Sequence, residues 1–125
     1  MRVLKTRAFA RWARKERLAD SMLLAAVEEM GRGLVDADLG AGLVKKRVAR
    51  SGGGKRGGYR ALLATDLRER WIFLYGFAKS ERENVDGKEL SSLKQLAQVY
   101  LAMGEETVGR LLKAGELTET EHGEA

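Results

Sequence analysis

Residues 59–78 read YRALLATDLRERWIFLYGFA, two runs of aromatic and aliphatic residues separated by a short polar stretch. Tyr59 to Thr65 and Trp71 to Ala78 have the composition of strands, and Asp66 to Arg70 supplies a turn. The pattern predicts an antiparallel hairpin. Strict alternation in the second run puts Trp71, Phe73, Tyr75 and Phe77 on one face and Ile72, Leu74, Gly76 and Ala78 on the other. Both sets are apolar, so this strand is expected at the centre of a sheet.

Upstream, residues 51–58 contain five glycines and form a loop or wide turn, because glycine weakens any regular element. Before it, Leu43 to Arg50 reads as a strand with Val44 and Val48 on one side and the cations Lys45 and Arg47 on the other. Further back lie two helices that should form a hairpin. Thr6 is a plausible N-cap for the first, whose apolar face holds Phe9, Trp12 and Ala13. Asp20 can cap the second, where Leu23, Ala26, Val27 and Met30 recur at helical spacing until Gly31 and Gly33. Arg2 to Lys5 allows a short leading strand.

Downstream, Asp86 and Glu89 have the spacing of a capping box, and Leu90, Leu93, Ala97, Tyr100 and Leu101 form the stripe of a C-terminal helix. Thr107 to Ala114 permits one more short helix. The expected fold is α+β: an N-terminal helical hairpin packed on one face of a small antiparallel sheet, with a C-terminal helix. Residues 1–115 form one domain, and 116–125 an acidic, disordered tail.

At 125 residues the chain fits a single domain, and 44% hydrophobic with 33% charged residues is ordinary for one. The absence of cysteine removes disulfides, thiol nucleophiles and zinc–thiolate sites. The start is basic rather than apolar, and no run is long enough to span a bilayer, so a cytoplasmic location and no membrane contact are expected. The net charge of +5 is concentrated. Lys45, Lys46, Arg47, Arg50, Lys55, Arg56 and Arg60 fall between Leu39 and Thr65 with no acidic residue among them. A second cluster comprises Arg2, Lys5, Arg7, Arg11, Arg14, Lys15 and Arg17. Clustered positive charge suits a surface that meets phosphate, although a solvated basic face has the same composition.

The only histidine, His122, lies in the acidic tail, so Ser–His catalysis and histidine metal sites are disfavoured, and no cofactor is expected. Gly54-Lys55-Arg56 is not a Walker loop, since Ala49 replaces its first glycine and Arg56 its Ser/Thr. A hairpin would instead converge the cations of residues 45–60 at one end of the sheet, where Lys55 and Arg60 can neutralise a phosphate in transit. Tyr59 or Phe77 can stack on an unpaired base; both also fit a core role, and Arg60 can simply brace a carboxylate.

The run Lys45-Lys46-Arg47-Val48-Ala49-Arg50, then Gly54-Lys55, then Gly57-Gly58-Tyr59-Arg60-Ala61-Leu62-Leu63-Ala64 resembles the RelE-like toxins of type II toxin–antitoxin systems. The resemblance is to the RelE/ParE superfamily, its HigB-like branch in particular, and runs from about Phe9 to Leu101, including the stretch from Phe73 to Val85. It implies a metal-independent endoribonuclease that cuts message in the ribosomal A site by attack of a ribose 2′-hydroxyl on the adjacent phosphate. By the same resemblance Arg60 contacts the scissile phosphate. Lys46 or Arg47 supplies a cation from the preceding strand, Lys55 is the lysine of the turn, and Lys79 follows the last strand. Arg50, Arg56 and Arg82 join Arg47, Tyr59 and Phe77 as RNA-binding candidates. No tyrosine follows Lys79 near the end of that strand, where Val85-Asp86 stands, so the general base is open, with lysine preferred. The implied partners are mRNA, the ribosome and an adjacently encoded antitoxin of helix-turn-helix type. The competing functions are a ParE-like gyrase inhibitor and a non-catalytic basic nucleic-acid-binding module.

Overall fold

The computed structural model describes residues 1–49, 58–82 and 84–121. The element order is β1 (Arg2–Thr6), α1 (Arg7–Lys15), α2 (Asp20–Gly31), β2 (Ala37–Gly40), β3 (Leu43–Val48), β4 (Tyr59–Thr65), β5 (Arg70–Ala78), α3 (Gly87–Ala102), α4 (Glu105–Ala114) and β6 (Leu117–Glu119). One six-stranded sheet runs β2-β3-β4-β5-β1-β6. The fold is α+β, as the strand and helix patterning predicts. The sheet is antiparallel except where β1 lies parallel to β5, from Arg2 beside Arg70 to Lys5 beside Phe73.

Helices cover both faces of this sheet, rather than the one face expected. α1 and α2 bury Phe9, Ala13, Leu23, Val27 and Met30 against Val44, Leu63, Trp71 and Phe73. α3 and α4 bury Ala97 and Val108 against Leu4, Leu43, Leu62 and Ile72. The long apolar runs of β4 and β5 require this, since a strand apolar on both faces must be covered twice.

Local chemistry sets most of the boundaries. Thr6 caps α1 by accepting from the Phe9 N–H at 3.1 Å. Asp86 and Glu89 form the reciprocal capping box of α3, and Gly115 closes α4 at φ 78°. Asp20 is the first residue of α2 rather than its cap; its carboxylate accepts from the Lys5 ammonium at 2.7 Å and the Glu121 N–H at 3.0 Å.

Within the tail expected over 116–125, Leu117–Glu119 form β6. Leu117, only 1% exposed, fills the core under α4, while Leu4, Lys5 and Thr6 pair with Glu119, Thr118 and Leu117. The buried leucine, the β1 edge, the Arg2–Glu119 ion pair and the Thr120 N–H on the Val3 carbonyl hold the chain to the sheet. Residues 122–125, which include His122, lie outside the described residues. Among the described residues no helix is long and apolar enough to cross a membrane.

Candidate functional site

A bulge in β5 builds the site. Leu62 pairs with Tyr75 but Leu63 pairs with Phe73, so Leu74 is one residue too many. Leu74 and Tyr75 consequently both pack on the α3–α4 side. Beyond the bulge the alternation is reversed: Gly76 lies beneath the Trp12 ring, and Phe77 stands opposite Arg60. Tyr75 and Phe77 therefore leave the face of Trp71 and Phe73, which corrects the single-face expectation.

The next two rows across the sheet are set by register. Arg47 is directly opposite Arg60, which is opposite Phe77; Lys45 is opposite Leu62, which is opposite Tyr75. Cross-strand partners share a face, so these cations and aromatics line the α3–α4 side at the sheet end where β3 leaves for the Gly-rich segment. Arg47 is exposed and Arg60 partly so; the Arg47 backbone N–H donates to the Asp36 carboxylate, but neither guanidinium forms an ion pair with a carboxylate among the described residues. Directly opposed like charges destabilise a sheet. An anion between the two guanidinium groups would reverse that repulsion.

The chain after β5 folds over this face as a wall. The Arg82 guanidinium lies 5.8 Å from the Phe77 ring centre and donates to the Tyr75 hydroxyl at 3.3 Å. It also pairs with Glu89 in the first turn of α3 and donates to the Asn84 carbonyl at 3.1 Å. Lys45 reaches the Asn84 side-chain oxygen at 2.8 Å. The hydrogen bond to Glu89 raises Arg82 above its already high ordinary value. The Arg82 hydrogen bond, then the Asp86 N–H, hold Glu89 below the usual carboxylate range. A cavity of about 320 Å³ opens beside Tyr75, Phe77 and Arg82 and reaches round the free edge of β5 to Ala8 and Trp12 of α1.

The predicted site residues divide accordingly. Arg47, Arg60, Phe77 and Arg82 are brought together, although Phe77 is buried under Arg82 rather than open to a base. Lys79 is exposed at the same end of the sheet, where its N–H donates to the Gly58 carbonyl at 3.2 Å. Lys46 is not with them. It points to the α2 side, 5% exposed, and its ammonium is held by Glu29 at 2.8 Å and the Leu34 carbonyl at 2.9 Å. The Lys46 hydrogen bond in turn lowers the Glu29 pKa. Tyr59 is also on the far face, buried edge-on to Trp12 with its hydroxyl donating to Glu16 at 3.1 Å. The period of two in β3 separates Lys46 from Arg47, so only one of that pair can face the site. Arg50, Lys55 and Arg56 lie outside the described residues; their segment joins β3 to β4 at the Arg47–Arg60 end.

Sequence reasoning passed over Lys45, Tyr75, Asn84 and Glu89. The even spacing of aromatics from Trp71 to Phe77 concealed the bulge, and the capping-box role of Glu89 accounted for it without reference to Arg82. A cavity of about 740 Å³ between α2 and β3 is lined by Met22, Glu29, Leu34, Lys46 and Val48, but its lysine is already engaged by Glu29. Among the described residues no three His, Cys, Asp or Glu side chains gather as a metal site requires.

The family model for the RelE toxin of the RelE/RelB toxin–antitoxin system matches residues 1–120. This chain belongs to the RelE toxin family. The match takes in β6, in agreement with a domain that continues past Gly115. No curated protein matches the chain.

Proposed function

We propose that this RelE-family protein is a metal-independent endoribonuclease acting on message in the ribosomal A site, within the HigB-like branch. One observation carries the reading: Arg47 and Arg60 face each other across β3 and β4, and neither guanidinium is ion-paired among the described residues. In the proposed reaction the ribose 2′-oxygen attacks the adjacent phosphorus and loses its proton to a base. The 5′-oxygen of the next nucleotide leaves with a proton, and a 2′,3′-cyclic phosphate remains. Arg60 and Arg47 stabilise the charge that builds on the phosphoryl oxygens. Lys55 and Lys79 are retained as proton-transfer candidates, and the Tyr75 phenol, hydrogen-bonded by Arg82, supplies a third on the cleft face. Arg82 orders Tyr75 and Phe77 beneath the strand. The cation-lined cleft disfavours a divalent ion and needs none. Arg50 and Arg56 are retained as RNA-binding candidates.

The partners in this reading are mRNA, the ribosome and an antitoxin of RelB type, encoded adjacently and built on a helix-turn-helix, in the cytoplasm. Arg60→Ala tests the proposal: cleavage of ribosome-bound message should fall about 10²–10³-fold, with circular dichroism unchanged. Full cleavage by the folded variant would remove the assignment. Gyrase inhibition by a protein that cuts no message would instead favour the ParE-like alternative.

A further inference from the structure

The N-terminal cations separate into two groups. Arg2 pairs with Glu105 and Glu119, Lys5 with Asp20, and Arg7 with Glu116. Arg11, Arg14, Lys15 and Arg17 have no carboxylate partner among the described residues, and all four are exposed. At about 100° per residue, Arg14, Arg11 and Lys15 span one arc of α1, opposite the buried Phe9 and Ala13.

That arrangement costs the free protein stability. Arg11 stands three and four residues from Arg14 and Lys15, a spacing at which like charges repel by about 0.2–0.5 kcal/mol per pair. Arg17 adopts φ 62°, closing the helix through its N–H to the Arg14 carbonyl at 3.1 Å. Glycine takes this conformation without strain, whereas an arginine there is held against a local penalty. The favourable field of the helix C-terminus offsets part of the repulsion at Arg14 and Lys15, but not the conformation of Arg17.

The helix that carries the stripe is also fixed to the end of β4 next to Arg60. Glu16, between Lys15 and Arg17, accepts from the Tyr59 hydroxyl, and Trp12 packs on the Tyr59 ring at 5.5 Å. Tyr59 immediately precedes Arg60, and Lys79 is at the same sheet end. The cations of α1 and those at the end of β4 and β5 are thus held on one rigid unit, joined through Trp12, Glu16 and Tyr59. None of the exposed large apolar residues lies on α1, so the stripe lacks the apolar centre of a protein interface. Three arginines of four suit phosphate oxygens, which a guanidinium grips with two donors.

We propose that Arg11, Arg14, Lys15 and Arg17 form a track for the sugar–phosphate backbone of the substrate strand itself, several nucleotides away from the cut. The inference rests on the reading of the chain as an RNA-cleaving protein and adds a length requirement to it. The test uses unstructured 2′-O-methyl RNAs of about 4 and about 16 nucleotides, whose cleavage is blocked, titrated at several salt concentrations. In the variant Arg11→Gln/Arg14→Gln/Lys15→Gln the log–log salt slope for the longer RNA should fall by about two, at about 0.7 per lost phosphate contact, and that for the shorter RNA should not move. The variant should melt no lower than the parent because repulsion is relieved. Should it fail to fold, Arg14→Gln and Lys15→Gln singly should each lower the slope by about 0.7.

An unchanged slope on the longer RNA, or equal losses at both lengths, overturns the track. So does normal binding of the longer RNA combined with lost binding to ribosomes or to the adjacently encoded protein, which would assign α1 to ribosomal RNA or to an acidic partner. Arg60→Gln is the control for the cleft: it should weaken both RNAs. If it weakens neither while the α1 variant loses the longer one, the cleft reading fails and the track stands.

Discussion

Arg60 faces Phe77 across β4 and β5 because a bulge one turn of the pleat earlier carries Tyr75 and Phe77 to the side opposite Phe73. The bulge is stabilised from the other face, where Trp12 occupies the space that a side chain at position 76 would need.

A Cβ at Gly76 would lie 2.2 Å from the Trp12 ring. Gly76→Ala should therefore destabilise the protein by about 1–3 kcal/mol in urea unfolding, as overpacked cores do. Much of that loss should disappear in a Trp12→Leu background, giving a coupling energy of about 1 kcal/mol or more. Additive effects would mean that the ring and the glycine do not share the space.

Lys46 and Arg47 are chain neighbours with separate roles, so their variants should separate too. Lys46→Met keeps the buried volume apolar and should leave RNA binding and cleavage unaltered. Glu29→Ala strands the buried Lys46 ammonium, which keeps only the Leu34 carbonyl, and should cost about 1–3 kcal/mol. Arg47→Ala should alter stability by less than about 0.5 kcal/mol, yet lower the salt slope of RNA binding by about 0.7. Loss of cleavage in Lys46→Met would return that residue to the site.

Acid should loosen the fold through four carboxylates. Glu29 is held low by Lys46, Glu89 by Arg82, and Glu105 by Arg70 and then Arg2. Burial opposes ionisation of Asp66, but the N–H groups of Arg68, Arg70 and Glu69 outweigh it and lower its pKa. Each group binds its proton more weakly when folded, so its contribution is complete above the ordinary values of 4.5 for Glu and 3.8 for Asp. It is lost as pH falls through the lower folded values. The Tm should be flat above about pH 5 and fall below it. Asp66→Ala should melt lower at neutral pH and decline less steeply in acid. A parallel decline in parent and variant would dismiss the role of Asp66.

Residues 116–121 pack on the sheet, and variants there should show it. Leu117→Ala should cost about 2–5 kcal/mol, as for other fully buried leucines. Truncation after Glu121 should cost less than about 0.5 kcal/mol, because what Glu121 follows is already secured by the Thr120 N–H on the Val3 carbonyl at 2.8 Å. Equal stability of Leu117→Ala and the parent would restore a tail beginning at Glu116.

Much of the fold was legible because it follows local rules. The apolar runs of β4 and β5, the Thr6 cap and the Asp86–Glu89 box all declare themselves within a few residues. The parallel pairing of β1 with β5, the return of β6 and the shift at Leu74 do not, because each depends on groups far away in the chain. Arg60 was legible as a candidate from its cationic surroundings and its place on a strand. Which of Lys46 and Arg47 faced it depended on a register that only the paired strands reveal. Tyr75 was hidden for the same reason.

The pairing of Leu4 with Glu119 spans nearly the whole described chain. Bringing such distant residues together requires a large loss of chain freedom before any reward, so this edge should zip late and slowly. Until it does, β1 offers bare amides and carbonyls to any passing strand. The period of greatest exposure to misassembly thus belongs to the half-made molecule, at the side of the sheet farthest from the cations on β3.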